Sequence, residues 1–144
     1  MVSRSETAVG EGDGIFHVHE IFPSFQGEGL YCGVPQVFLR LSGCNLSCSF
    51  CDTPVARRHI GSARLFDWEG ERESMPNPLG ADEMVEALAS LWSEEMHSLS
   101  LTGGEPLLQA EALSSLLPRL KELGMPVYLE TNGTLHRELE KVLP

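Results

Sequence analysis

Of the four cysteines in the 144-residue chain, three fall within eight residues, Cys44-Asn45-Leu46-Ser47-Cys48-Ser49-Phe50-Cys51. The spacing is C-x3-C-x2-C. Three thiolates on a tight loop can each take one iron of a four-iron cluster, leaving the fourth iron without a protein ligand. An open metal position is where a cofactor or substrate binds, by the logic that separates catalytic from structural zinc sites. A zinc knuckle completed by a histidine such as His59, or a grouping of buried thiols, would use the same residues. The strand pattern before the cysteines and the glycine motif after them favour the cluster.

Other chemistry-bearing residues lie on either side. Ser24-Phe25-Gln26-Gly27-Glu28-Gly29 is a loop whose glycines let backbone approach a ligand closely. Arg40 sits inside the apolar run Gln36 to Leu41, where a guanidinium needs either a structural partner or a ligand's carboxylate. Asp52-Thr53-Pro54 reads by itself as a turn. Glu105, within Gly103-Gly104-Glu105-Pro106, suits the positive end of a following helix. His17 and His19 share a strand face as a solvated polar pair, and Cys32 is a small buried or bystander residue.

The elements that must hold these residues alternate. Ile15 to Phe22 is β-branched and aromatic, an edge strand or hairpin arm. Gln36 to Leu41 is a buried strand leading into the cysteines. Arg57 to Pro78 is long, charged and irregular, a functional lid or a disordered insertion. Asp82 to Trp92 has helical apolar spacing, His97 to Thr102 is a strand, and Leu113 to Leu123 is a helix that Pro118 kinks or divides and Gly124 stops. Val127 to Thr131 is a strand at an exposed sheet edge, and a third helix begins after Asn132-Gly133. This βα alternation builds a parallel sheet whose strands end at ligands. Residues 1–14 are a flexible leader and 15–144 the core.

The cysteine loop, the aromatic Phe50 within it and the later Gly-Gly-Glu-Pro resemble the radical S-adenosylmethionine superfamily. Phe25-Gln26-Gly27-Glu28-Gly29, Phe38-Leu39-Arg40-Leu41, Gly43-Cys44-Asn45, Cys51-Asp52-Thr53, Thr102-Gly103-Gly104-Glu105-Pro106 and Glu130-Thr131-Asn132-Gly133-Thr134 are similar to one family within it, the 7-carboxy-7-deazaguanine synthases of queuosine biosynthesis. The resemblance implies an α/β fold, a partial (β/α)6 barrel with parallel strands, truncated on its C-terminal side. It implies a [4Fe-4S] cluster on Cys44, Cys48 and Cys51, S-adenosylmethionine on the open iron, and Mg2+ on Thr53. Phe50, Cys51, Asp52 and Gly104 would contact S-adenosylmethionine. Phe25, Gln26, Gly27, Arg40 and Thr102 would contact 6-carboxy-5,6,7,8-tetrahydropterin, Arg40 by clamping its carboxylate. A lyase reaction with ring contraction and loss of ammonia follows from the same resemblance, as do a flavodoxin-type electron donor and a homodimer. An activating enzyme for a glycyl-radical protein shares the cysteine spacing, as does a catalytically incomplete cluster-binding fragment. The Gln-Gly-Glu-Gly loop favours the synthase.

Composition narrows the classes further. Twenty-one acidic against ten basic residues give a net charge of −11, which repels phosphate backbones and argues against nucleic-acid binding. No apolar run approaches the roughly 18 residues that span a bilayer. Clustered thiols with no export signal imply a cytoplasmic protein.

Overall fold

The computed structural model describes residues 14–144, so the expected leader lies outside the described residues except for Gly14. Gly14 packs on a helix: a Cβ there would stand 2.7 Å from the Cα of Ala112. The strands are β1 (Ile15–Phe16), β2 (Val18–Phe25), β3 (Pro35–Leu41), β4 (Ser62–Asp67), β5 (Gly70–Pro76), β6 (Leu79–Gly80), β7 (Ser98–Gly103) and β8 (Val127–Leu129). The helices are α1 (Ala81–Leu91), α2 (Ala110–Glu122) and α3 (His136–Val142), with a short 3-10 turn at Pro54–Arg57 and another at Pro106–Gln109.

Six strands form one sheet in the order β5-β4-β2-β3-β7-β8, and β1 pairs only with β6. β3, β7 and β8 run parallel, as the strand–loop–helix alternation predicts. β2 lies parallel to β4 but antiparallel to β3, and β4 and β5 form an antiparallel hairpin. The fold is therefore mixed α/β with a parallel-rich sheet, open among the described residues.

Two expectations are corrected. β2 is an arm of the β2–β3 hairpin but not an edge, because β4 pairs along its other side. The segment 57–78 is not irregular; most of it is the β4–β5 hairpin. Only Ala63 and Leu65 of β4 are buried, while β5 exposes Glu71, Arg72 and Glu73. A strand with so little apolar surface has no clear alternation. Its charges serve an outer strand well, since they discourage pairing with another chain.

Apolar periodicity explains the helices. Met84, Ala87, Leu88 and Leu91 of α1 and Leu113, Leu116 and Leu120 of α2 are buried against Ile21, Val37, Leu39, Leu41, Leu99 and Leu101 of the sheet. Each such leucine contributes about 1.5–3 kcal/mol on burial. Pro118 does not divide α2, which runs on to Glu122. Gly124, at φ +72°, ends it with its N–H on the carbonyl of Lys121.

Since strand side chains alternate, one face of the sheet carries this core and the other is mostly polar. Gln36, Phe38 and Arg40 of β3 lie level with Ser98, Ser100 and Thr102 of β7. Glu20 of β2 lies level with Arg40 on one side and Arg64 of β4 on the other. Gln36, Ser98 and Ser100 are buried. The special residues of the sequence gather on this face and at the strand ends above it.

Candidate active site

The cysteine loop leaves the end of β3. Gly43, at φ +102°, makes the turn into Cys44, a conformation that a side chain disfavours. Its N–H bonds to the carbonyl of buried Ala56 in the 3-10 turn that follows the third cysteine. Both ends of the loop are thereby tied together. Cys44, Cys48 and Cys51 are free and partly buried, and they line one cavity of about 340 Å³ with Glu28, Leu46, Phe50, Asp52, Arg57, Gly104 and Asn132. Six expected site residues thus line one cavity: the three cysteines, Phe50, Asp52 and Gly104.

The chemistry of the donors, three free thiols on one loop, fits a cluster. Among the described residues, no three His, Cys, Asp or Glu side chains converge on a point one metal ion could fill. A four-iron cluster asks instead for thiolates spaced around a larger body, one to each iron. His59, the candidate fourth zinc ligand, is engaged elsewhere, with Nδ1 3.1 Å from the Ser42 hydroxyl and its ring 4.0 Å from that of His17.

Two neighbouring strand ends fix the far wall. A Cβ on Gly104 would stand 2.2 Å from the Gly43 carbonyl oxygen, so the backbones of the glycine motif and the cysteine turn touch. Gly104 N–H donates to Leu41 and Glu105 N–H to Gly43. Glu105 is completely buried, and its carboxyl oxygens accept from Leu107 N–H at 2.9 Å, the Thr131 hydroxyl at 2.9 Å and Asn132 N–H at 2.7 Å. It therefore caps the 3-10 turn at Pro106, as the sequence suggested, and also holds the loop after β8. That loop grips the cysteines in return: Asn132 Nδ2 donates to Asn45 Oδ1, and Asn45 Nδ2 to the Thr134 hydroxyl, both at 2.9 Å.

The remaining expected residues lie apart from the cavity lining. Arg40 donates through Nε to Glu20 at 2.9 Å, and its Nη1 is 3.5 Å from the Thr53 hydroxyl. The Thr53 hydroxyl donates to Asp52 at 2.9 Å. Thr102 shares the polar face with Arg40. Gln26 has both backbone groups taken, by Val34 and Gly33. Its side chain donates to Gln36 and to Glu130, which also accepts from Ser100. Phe25 is exposed against Trp68, and Gly27 is exposed. From this loop it is Glu28 that reaches the cysteine cavity.

One sequence reading fails beneath the loop. His17 and His19 are not a solvated pair: His17 precedes β2, and the pairing register shifts between Val18 and Glu20. Burial and then the neighbouring His59 hold the His17 imidazole below its usual range. His19 Nδ1 is buried without a hydrogen-bond partner. Cys32 is exposed, hence a bystander rather than buried. Gln109 ties this floor to the loop, donating to the carbonyls of His17 and Ser42 and accepting from His17 N–H. Gln109, Arg57, Asn45, Asn132 and the double role of Glu105 went unread in the sequence. Only the quoted Gly-Cys-Asn and Asn-Gly-Thr tracts hinted at the asparagines, and nothing local joined them.

Comparison with known proteins agrees with this geometry. The 7-carboxy-7-deazaguanine synthase of Geobacter sulfurreducens is 44% identical over 131 residues, which is 88% of this chain and 52% of the relative. That of Methanopyrus kandleri is 46% identical, over 83% of this chain and 49% of the relative. The chain spans about half the length of these curated relatives. The crystal structure of QueE from Escherichia coli superposes with a TM-score of 0.66 at 25% identity, covering 83% of this chain and 54% of that one. The sequence profile of the radical SAM superfamily matches residues 39–143, a span that opens on β3 and takes in the cysteine loop, the glycine motif and the loop that pins them. That match covers most of the chain, and the chain belongs to the radical SAM superfamily.

Proposed function

We propose that residues 15–144 form the cluster-bearing core of a 7-carboxy-7-deazaguanine synthase, a lyase converting 6-carboxy-5,6,7,8-tetrahydropterin to 7-carboxy-7-deazaguanine. The observation that carries the reading is the three-cysteine cavity of about 340 Å³ with Gly104 and Asn132 in its far wall. Identity of 40–46% to named synthases over most of the chain supports it. Cys44, Cys48 and Cys51 would hold a [4Fe-4S] cluster, with Phe50, Cys51, Asp52 and Gly104 against S-adenosylmethionine. When bound, these groups supply the one-electron cleavage that starts hydrogen abstraction from the substrate.

The chain's own residues bind, orient and shield. Arg40 is held through Nε by Glu20, which leaves its two Nη groups to receive a carboxylate in bidentate fashion. The ion pair with Glu20 is in this reading an orienting contact and not the whole purpose of Arg40. Thr53 and Asp52 offer adjacent hard oxygens for Mg2+. A cation there would lie near the Arg40 guanidinium, and a substrate carboxylate between them would relieve the repulsion. Thr102 stands level with Arg40 on the face where the pterin would lie. Phe25, Gln26 and Gly27 complete the substrate loop. With its backbone and side chain already bonded, Gln26 acts by stiffening that loop and Gly27 by offering its own backbone. Phe50 is 88% exposed, so the cluster side of the loop is open to a small flavodoxin-type electron donor. A homodimer and a cytoplasmic setting complete the proposal. Among the described residues no helix is long and apolar enough to cross a membrane.

The test is anaerobic reconstitution of the protein, reduction, and incubation with S-adenosylmethionine, Mg2+ and the carboxypterin. Formation of 7-carboxy-7-deazaguanine is expected. A protein carrying four irons that forms none of it refutes the assignment.

A further inference from the structure

Arg57 stands out among the cations of this acidic chain. Arg40, Arg64, Arg72 and Arg119 each pair with a carboxylate. Among the described residues Arg57, Arg58 and Arg137 have no such partner, and of these three Arg57 alone is partly buried. It lines the cysteine cavity, and its Nη2 donates to the carbonyl of Cys48. Glu28 and Asp52 line the same cavity, yet neither is within ion-pairing distance of it. The neighbouring Ala56 is buried and receives the N–H of Gly43, so the backbone that carries Arg57 is tied to the start of the cysteine loop.

A guanidinium withdrawn from water without a counter-ion is costly unless an anion is supplied. The cavity that Arg57 lines offers such an anion in a cluster held by its three thiolates. We propose that Arg57 is a positioning residue of the cluster: it braces the turn between Cys48 and Cys51 through the Cys48 carbonyl and sets its charge beside the iron. The inference rests on the cluster reading above. Cluster potentials respond to net charge, hydrogen bonding and exposure. Reduction adds one negative charge, so a nearby cation favours the reduced form and raises the potential. Arginine suits the task better than lysine, because its planar fork holds the carbonyl while remaining charged.

The test compares the parent chain with R57Q, R57K and R58Q after anaerobic reconstitution with ferrous iron and sulfide. Iron per chain is counted, and the midpoint potential is read by redox titration with electron paramagnetic resonance detection. R57Q is expected to lower the ratio of reduced to oxidised cluster at a fixed poise by about tenfold, equivalent to 59 mV for one electron. R57K should retain most of the parent potential, and R58Q all of it. An R57Q potential equal to that of the parent overturns the inference, as does an equal shift in R58Q. If R57Q keeps the parent's apo melting temperature but loads no iron, and R57K restores loading, the bracing role is upheld. Failure of R57K to restore it overturns that role. A parent that takes up no iron removes the cluster reading itself, and this inference with it.

Discussion

Replacing Glu105 by alanine tests how the strand ends are held together. Its two carboxyl oxygens serve three donors, Leu107 N–H, the Thr131 hydroxyl and Asn132 N–H, and the side chain is wholly buried. Leaving a buried donor unpaired costs about 1–3 kcal/mol. Thr131 and Asn132 are exposed as residues, so water can repay much of their loss. Leu107 is buried and cannot recover in that way. The sum is about 2–5 kcal/mol for E105A. E105Q should lie between it and the parent, since an amide can accept through only one of its two ends and would turn its NH2 towards a donor. Urea denaturation with linear extrapolation measures both, with Glu122→Ala as an exposed control expected within about 0.5 kcal/mol of the parent. Stability of E105A within 1 kcal/mol of the parent would refute the argument, because it would mean that the loops after β7 and β8 do not depend on this carboxyl group.

Further outcomes follow from the same geometry. Gly104→Ala should destabilise by roughly 2–4 kcal/mol, since a Cβ would meet the Gly43 carbonyl at 2.2 Å and force the two loops apart; thermal melting checks it. Any one of C44A, C48A or C51A should abolish the brown colour and the four-iron stoichiometry on reconstitution, whereas C32A should change neither, because Cys32 is exposed and outside the cavity. Arg40→Lys should cut carboxypterin turnover by one to two orders of magnitude through the lost bidentate fork, with little change in S-adenosylmethionine cleavage; product assays on both reactions separate the two. His17 resists protonation when folded, relative to its ordinary value of 6.5. The unfolded chain therefore binds more protons as pH falls through that value, and stability present above it should be lost below. Melting temperatures measured between about pH 5 and 8 should show this slope, and H17Q should flatten it.

Much of the architecture was legible in the chain because periodicity is local. The stripes of α1 and α2, the strand into the cysteines and the stop at Gly124 each depend on residues a few positions apart. The β4–β5 hairpin was not legible, because its outer strand buries almost nothing and so has no alternation to read. Nor was the interior place of β2, since pairing on its second side depends on β4, some forty residues away.

The site divides in the same way. Sequence by itself determined that a metal-binding thiol set lies on one loop, since three cysteines at C-x3-C-x2-C are local to each other whatever surrounds them. It also indicated which glycines would be needed, because close backbone approach and positive φ leave few other residues possible. Only the tertiary structure decided what holds that loop and what faces it. Asn45 meets Asn132 and Thr134 across nearly ninety residues. Glu20 orients Arg40 across the β2–β3 pair. Glu28, rather than Gln26, reaches the thiols. Arg57 lines the cavity beside them, partly buried and in no ion pair among the described residues. These relations arise from the sheet's register and the direction of each side chain, and a one-residue shift in pairing would reverse the face of every strand residue among them.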